Sequence, residues 1–246
     1  DNTILLAFCQ LEKSVAKAYY FPEVNFASGQ QVARSIIEAD TKACIAFAES
    51  FGKGDSEAFI DGFNTLKPDI PLAGGNAADN FNFSKTFLIY EDQIVETGMV
   101  LVTLNGETLR VNTGYSFEWT QIGKELTITK SDKNTIYEID NQPIQKLYQH
   151  YLGDDVIHNL PKSGMEFPFV KICDEIDVSR AIIGVNADGS YVYKGFLNEG
   201  EKVRFAIGNV EEILNKASVL QAKINEKPSE VIFIYSCGVR KHFLQK

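Results

Sequence analysis

The chain has 246 residues, and 44% of them are hydrophobic, which is enough to fill a core and excludes a disordered chain. Its 33 acidic and 24 basic residues give a net charge of −9. That charge disfavours a phosphate-contacting surface for nucleic acid and docking on anionic lipid, and no apolar run reaches the roughly 18 residues that span a bilayer.

The first seventy residues predict strands that alternate with helices. Apolar runs predict a strand at residues 3–8, a partner for it at residues 17–21, and another strand at residues 43–48. Helical spacing predicts a helix over residues 30–39, with Ser28 as its N-cap.

A second helix is predicted over residues 56–66, where Asp55 is the expected N-cap. Its inner stripe is predicted to consist of Phe59, Ile60 and Phe63.

Residues 85–137 alternate apolar and polar positions and predict an antiparallel meander. Its strands are predicted at residues 86–90, 98–104, 109–114, 126–130 and 135–139. Asn105-Gly106 is a strong hairpin signal, because a type I′ turn needs positive φ at both central residues.

A helix over residues 144–152 follows the meander. Asp140 or Asn141 is the expected N-cap, Pro143 suits the first turn, and Gly153 is the expected stop. The later elements are strands at residues 181–185, 191–193 and 203–207, a helix at 210–224 and a strand at 231–235.

The expected architecture is therefore α+β: a largely antiparallel sheet with helices packed on its faces, in two sub-domains. Residues 159–168, with two prolines and a glycine, are the best candidate boundary. The apolar strand at 231–235 needs neighbours on both faces, and residues 241–246 resemble the start of a helix. We therefore expect the chain to be a fragment of a longer protein.

Cysteine and histidine spacing predicts no metal site. The four cysteines, at positions 9, 44, 173 and 237, lack CxxC spacing, and the three histidines lack HxH or HExxH spacing. Scattered cysteines in a chain of this length are more often buried apolar residues than a disulfide framework. We predict a cytoplasmic protein without a metal or a cofactor.

Two predicted strand exits carry small and polar residues that a ligand could contact. They contain Gly74, Gly75, Asn76, Asp79 and Asn80 at the first exit, and Ser236, Cys237 and Arg240 at the second. Trp119 could stack on a ligand or plug the sheet. Arg180 and Arg240 could clamp a carboxylate or pair with Asp79, Glu138 or Asp177. The two glycines could equally form a tight turn.

The order and spacing of several segments resemble the FIST family over residues 40–240. The matching segments are "GGNAAD" at 74–79, "VNTG" at 111–114, "WTQIG" at 119–123, "IYEIDNQP" at 136–143 and "CGVR" at 237–240. Asn141 stands where the family usually has glycine, and asparagine also tolerates left-handed backbone. By this resemblance, residues 1–160 form a FIST N-type region and residues 161–246 the start of a FIST C-type region, each incomplete at its outer end.

The resemblance implies a bacterial sensory domain in signal transduction, with no catalytic residue. Such a domain is expected to bind a small polar ligand, such as an amino acid, where the two strand exits come together. Its expected partners are an attached or separate histidine kinase, chemotaxis-type receptor or cyclic-dinucleotide enzyme. Eukaryotic relatives sit beside F-box segments.

Two alternatives to a sensor remain. The first is a cysteine-dependent hydrolase or transferase with Cys237 as nucleophile, Arg240 favouring its thiolate and His242 as base. Against it stands the interpretation of Cys237 as a small residue buried at a strand end. The second alternative is a protein-interaction scaffold of the F-box-associated type.

Overall fold

The computed structural model describes residues 7–51, 54–80, 82, 84–116, 119–172 and 177–244, apart from the side chains of residues 242 and 243. The chain forms two compact units, Asp1–Thr113 and Gly114–Lys246. The strand predicted at residues 3–8 falls mostly outside the described residues. The predicted limit near residue 160 between the two family regions stays a prediction.

The first unit contains a four-stranded sheet, two helices and a separate hairpin. Its elements are β1 (Val15–Phe21), α1 (Phe26–Ser35), β2 (Thr41–Ala48), α2 (Ser56–Asn64), β3 (Leu72–Asn76), β4 (Leu88–Tyr90), β5 (Gln93–Val95) and β6 (Met99–Asn105). The sheet order is β1-β6-β2-β3. The β1/β6 and β2/β6 pairs are antiparallel, whereas β2 and β3 are parallel and are connected through α2. β4 pairs with β5.

Side-chain caps begin both helices of the first unit. The Asn25 side chain accepts from Ser28 N at 2.9 Å, and Asn25 N donates to Ser28 Oγ at 2.9 Å. The N-cap of α1 is therefore Asn25 rather than the predicted Ser28, which occupies the third helical position of a capping box. Asp55 caps α2 as predicted, accepting from Ala58 N at 2.9 Å.

The core of the first unit lies between the sheet and the two helices. It contains Val24, Val32, Ala33, Cys44, Ala48, Phe59, Phe63, Met99 and Leu101. Phe59 and Phe63 are one helical turn apart and fully buried. Ile60 points away from that stripe and is exposed, so its predicted place in the inner stripe is wrong.

The second unit is built on a larger antiparallel sheet. Its elements are β7 (Trp119–Asp132), β8 (Thr135–Ile139), β9 (Gln142–Pro143), α3 (Ile144–Leu152), α4 (Asp154–His158), β10 (Phe169–Lys171), β11 (Val178–Arg180), β12 (Ile182–Val185), β13 (Tyr191–Tyr193), β14 (Lys202–Gly208), α5 (Val210–Asn225) and α6 (Gly238–Leu244). The strand order is β11-β10-β14-β7-β8-β13-β12, with β9 added beside β8.

Aromatic side chains dominate the core of the second unit. Tyr148 of α3 packs edge-on against Phe169, Tyr191 and Phe205, with ring centroids 5.0–5.6 Å apart. Its hydroxyl makes a 2.9 Å hydrogen bond with the hydroxyl of Tyr193. Burial raises the pKa of both phenols, which keeps this pair neutral.

The strands predicted as one meander belong to three different sheets. β6 lies between β1 and β2, β4 pairs with β5, and β7 and β8 belong to the second unit. Residues 109–114 form no strand. The predicted Asn105-Gly106 hairpin is wrong, because Asn105 is a buried strand residue that pairs with both Val15 and Thr41.

A two-residue turn does occur at Asp140-Asn141, between β8 and β9. Both residues have positive φ, 49° and 59°, so the prediction that Asn141 accepts left-handed backbone is confirmed. Neither residue caps α3 as predicted. Its N-cap is Pro143, without a side-chain hydrogen bond, and the Asp140 carboxylate instead accepts from Thr127 N at 2.9 Å.

The segment 231–235 is not the predicted strand. All five residues are exposed and have no regular structure, and α6 begins three residues later. The predicted α+β class with a largely antiparallel sheet is confirmed. Within the described ranges, no helix has the length and apolar character needed to cross a membrane.

Candidate functional site

The best candidate site in the first unit is the edge where β2 and β3 end. The two strands are parallel, so both carboxyl ends lie at the same edge of the sheet. α2 connects the strands and begins at this edge with Ser56. In α/β units, ligands bind in the crevice beyond the carboxyl ends of parallel strands. We call this edge the β2/β3 exit; it comprises Glu49, Ser50, Ser56 and residues 74–80.

The two glycines of β3 have different roles at this edge. Gly74 has a φ of 144°, and a Cβ atom there would lie 1.8 Å from the carbonyl oxygen of Ala46. Gly74 is therefore required by close strand packing. Gly75 is exposed, and a Cβ atom added to it would meet nothing within 4 Å. The space beside Gly75 is open to a ligand.

Polar side chains from three elements come together around the exit. Ser56 Oγ donates to Asn76 Oδ1 at 3.4 Å and so links the start of α2 to the end of β3. Ser50 Oγ donates to the carbonyl oxygen of Ala77, and Ser50 N donates to Thr86 Oγ1 at 3.0 Å. The carboxylate of Glu49, a buried residue, accepts from Phe51 N at 2.8 Å.

Asp79 organises the loop that follows β3. Its Oδ2 atom accepts from Ser84 N at 2.7 Å, from Ser84 Oγ at 3.3 Å and from Lys85 N at 3.3 Å. Asn80 has a φ of 56°, which asparagine tolerates in such turns. Asp79 therefore has a structural role that the sequence did not indicate, and Asn80 supplies the left-handed turn.

Two clefts in the first unit share no lining residue with the β2/β3 exit. One, of about 320 Å³, lies between residues 37–41 and 66–70. The other, of about 460 Å³, lies along residues 20–31 at the start of α1. Neither is lined by a predicted site residue, and both are open.

Two predicted site residues lie on strands of the second unit. Arg180 is buried at the end of β11, where Nε donates to the carbonyl oxygen of Phe196 at 3.4 Å. The backbone of Gly195 packs so closely on the guanidinium that a Cβ there would lie 2.8 Å from Arg180 Cζ. Trp119 is half-buried at the first position of β7, opposite Gly208 of β14.

The predicted second strand exit is not formed. Ser236 and Cys237 are exposed on an irregular segment, and Arg240 is half-buried in α6. The interpretation of Cys237 as a buried residue is wrong, whereas Cys44 is buried and its thiol pKa is raised to about 12 by desolvation. The side chain of His242, the base in the hydrolase hypothesis, lies outside the described residues.

Two family models match the chain, and their limits differ from those of the two compact units. The family model for the FIST N domain matches residues 1–142, and the model for the FIST C domain matches residues 145–246. The chain belongs to the FIST family. FIST domains are sensory domains of signal transduction, so the predicted family and its general role are confirmed.

One curated relative is similar to part of this FIST chain. It is the uncharacterized protein MJ1623 of Methanocaldococcus jannaschii, which is 34% identical over 84 residues. The match covers 34% of this chain and 15% of that protein. No solved structure matches the chain.

Sequence reasoning about the FIST segments missed Glu49, Ser50 and Ser56. Glu49 and Ser50 follow an apolar strand directly, and Ser56 opens the next helix. A prediction that residues 41–76 form a parallel β-α-β unit would have placed these three residues at one edge of the sheet. Among the described residues, no group of three or more His, Cys, Asp or Glu side chains is placed to hold a metal ion.

Proposed function

We propose that this FIST chain is the sensory input part of a bacterial, cytoplasmic signalling protein, and that it binds a small polar ligand at the β2/β3 exit. The observation that carries the proposal is the parallel β2-α2-β3 arrangement, whose strand ends and helix start meet at one polar edge. Open space beside Gly75 allows a ligand to approach the backbone there.

The side chains at the exit fit a molecule with several hydrogen-bonding groups. Ser56 and Asn76 carry groups that can both donate and accept. Glu49, after β2, and Asp79, after β3, add carboxylates to the exit, and each of them already holds local backbone amides in place. Prepositioned polar groups cost little reorganisation on binding. The carboxylates suit the ammonium group of an amino acid, and the Ser56 hydroxyl and the Asn76 amide can donate to its carboxylate.

A ligand at this edge would act on signalling by shifting a conformational equilibrium. Binding favours the conformation of the chain that has the higher affinity for the ligand, and an output domain responds to that conformation. The outputs we propose are a histidine kinase, a chemotaxis-type receptor or a cyclic-dinucleotide enzyme, attached to the chain or separate from it.

A thermal-shift screen of the twenty amino acids tests the ligand proposal. At least one is expected to raise the Tm, because a ligand that binds only the folded state stabilises it. Gly75→Phe should abolish the shift by filling the open space, while its own Tm stays near that of the wild type. Gly75→Ala is the matched control, since it adds only a Cβ and should retain the shift.

The ligand proposal fails if no amino acid changes the Tm, or if the shift survives in Gly75→Phe. Iodoacetamide labelling addresses the hydrolase alternative separately. That alternative requires Cys237 to react much faster than Cys9, the other exposed cysteine among the described residues. Equal rates exclude an activated nucleophile.

A protein-interaction scaffold is the second candidate function. It is favoured by the open shape of both clefts of the first unit and by an apolar surface on the β4–β5 hairpin. If the chain is a scaffold, we expect no amino acid to shift its Tm. We expect instead that a protein partner binds to a defined surface of the chain.

A further inference from the structure

The β4–β5 hairpin has one face packed on its own unit and one face in solvent. Its register pairs Leu88 with Val95 and Ile89 with Ile94. Leu88 is buried, and the ring of Tyr90 lies 6.0 Å from that of Tyr20 in β1. These residues attach one face of the hairpin to the sheet. Ile89 and Ile94 form a cross-strand pair on the opposite face.

That opposite face is apolar and open. Ile89 is 66% exposed and Ile94 is 69% exposed, while Phe87, two residues before Ile89, is 58% exposed. We call Phe87, Ile89 and Ile94 the hairpin face. Antiparallel strands with one solvated face normally alternate apolar and polar residues, whereas strands covered on both faces are apolar throughout. Apart from Gln93, the strand residues of the hairpin are apolar or aromatic, although the hairpin is covered on only one side.

Acidic side chains border the hairpin face. Glu91 and Asp92 form the turn between the two strands, and within the described part of the chain neither has an ion pair. Glu96 follows β5 and pairs with Lys85 at 2.6 Å. The border therefore carries three carboxylates and one ammonium group, and that ammonium is neutralised by its pair.

We propose that the hairpin face is a docking surface for a protein segment that presents apolar side chains flanked by lysine or arginine. Apolar contact with the two isoleucines supplies the buried area, and the basic flanks meet Glu91 and Asp92. The surface shares no residue with the β2/β3 exit, so the inference does not rest on the chain binding a small ligand.

The charge of the border decides against two other occupants. A second copy of this chain would bring the same carboxylates against Glu91 and Asp92, in a protein whose net charge is already −9. An anionic bilayer would be repelled for the same reason. A basic, apolar segment is the occupant whose charge complements the border.

Fluorescence anisotropy with three labelled peptides tests the inference on the whole chain. The first peptide has leucines at alternate positions between lysine flanks, the second has the same leucines between glutamate flanks, and the third has serines in place of the leucines. The first is expected to bind at least tenfold more tightly than either of the others. Its affinity should fall as salt is added, because exposed charges are screened.

Variants of the hairpin show whether the peptide binds at this face. Ile89→Thr combined with Ile94→Thr keeps β-branched residues in both strands and should weaken binding at least tenfold. Glu91→Gln combined with Asp92→Asn should weaken binding less and reduce its salt dependence. Val219→Thr is the matched control, because Val219 is a 70% exposed β-branched residue on α5, outside the hairpin. It should bind like the wild type.

Several outcomes would overturn the inference. Equal binding of the lysine and glutamate peptides would show that the partner does not need basic flanks. Unchanged affinity in the double threonine variant would show that the peptide does not bind at the hairpin face. Absence of binding by all three peptides would also count against it. Sedimentation that shows a dimer lost in the double threonine variant would assign the face to a second copy. Binding to anionic vesicles that the same variant abolishes would assign it to a membrane.

Discussion

Gly74 of β3 packs directly on the backbone of Ala46 in β2, so that a Cβ atom at position 74 would lie 1.8 Å from the Ala46 carbonyl oxygen. The two residues are register partners in the parallel pair that forms the β2/β3 exit. The next residue, Gly75, has open space at its Cβ position. Of these two adjacent glycines, Gly74 is therefore required for strand packing, whereas Gly75 leaves a surface that a ligand can contact.

Gly74→Ala is expected to destabilise the first unit, whereas Gly75→Ala should not. The Gly74 substitution adds a steric clash and a strained φ of 144°, which together cost about 2–4 kcal/mol. Gly75→Ala should lie within about 0.5 kcal/mol of the wild type, as is usual for an exposed site. Urea unfolding of both variants measures the difference. Equal stability of the two variants would contradict the packing role of Gly74.

Asp79→Ala is expected to loosen the loop after β3. The substitution removes the acceptor for the amides of Ser84 and Lys85, and a lost local hydrogen bond costs about 1 kcal/mol. Limited proteolysis should show faster cleavage in residues 79–85, with little change elsewhere. Asp79→Asn keeps one side-chain acceptor and should behave more like the wild type. A ligand contact alone, without the structural role, would leave proteolysis unchanged in both variants.

Asp140→Asn is expected to reveal a small, pH-dependent ion pair. Lys124 Nζ donates to Asp140 Oδ2 at 2.9 Å, and this bond lowers the carboxyl pKa below its ordinary value of 3.8. The resulting stability is present above pH 3.8 and is lost as the pH falls through the lower folded-state value. Asparagine keeps the left-handed turn and one oxygen that can accept from Thr127 N, and it removes the charge and the acceptor of Lys124.

The expected cost of Asp140→Asn at neutral pH is below about 1 kcal/mol, because the pair is largely solvated. Comparing urea unfolding of the variant and the wild type at neutral pH and well below pH 3.8 checks this. The difference between the two proteins should shrink in acid. A constant difference would show that packing, and not charge, distinguishes them.

Local sequence signals predicted individual elements well but not their partners. β2, α2, α3, β13 and α5 lie within two or three residues of their predicted bounds, since each has a clear apolar period or stop. The hairpin predicted at Asn105-Gly106 is wrong because β6 pairs with strands far away in sequence. There the Asn105 side chain accepts from Thr41 Oγ1 at 2.6 Å, a contact that no local pattern reveals.

The candidate site was predictable only in part for the same reason. The sequence indicated that the two glycines and Asn76 lie at a strand exit. It did not indicate that Glu49 and Ser56 lie beside them, because that follows from the parallel pairing of β2 and β3. The apolar residues at 231–235 predicted a strand from propensity alone, although a strand also requires a hydrogen-bonding partner. Asp79 illustrates a third limit, because a turn carboxylate and a ligand-binding carboxylate have the same sequence signature.

Two tyrosines of the second core are expected to respond oppositely to loss of their hydroxyls. The Tyr191 hydroxyl is buried without a hydrogen-bond partner among the described residues, and burial raises its pKa to about 12. Tyr191→Phe should therefore be neutral or stabilise the unit by up to about 1 kcal/mol. Tyr148→Phe removes the 2.9 Å bond to Tyr193 and leaves that buried hydroxyl without this partner, which costs about 1–3 kcal/mol.

Both tyrosine variants keep the aromatic ring, so the packing of Tyr148 against Phe169, Phe205 and Tyr191 is unchanged and the comparison isolates the hydroxyls. Tyr193→Phe alone, and Tyr148→Phe combined with Tyr193→Phe, complete the cycle. Removing both partners should cost less than removing Tyr148 alone, because no buried hydroxyl of the pair is then left without its bond. Thermal unfolding of the four variants measures these changes in stability. A double variant less stable than Tyr148→Phe would show that the remaining hydroxyl finds another partner.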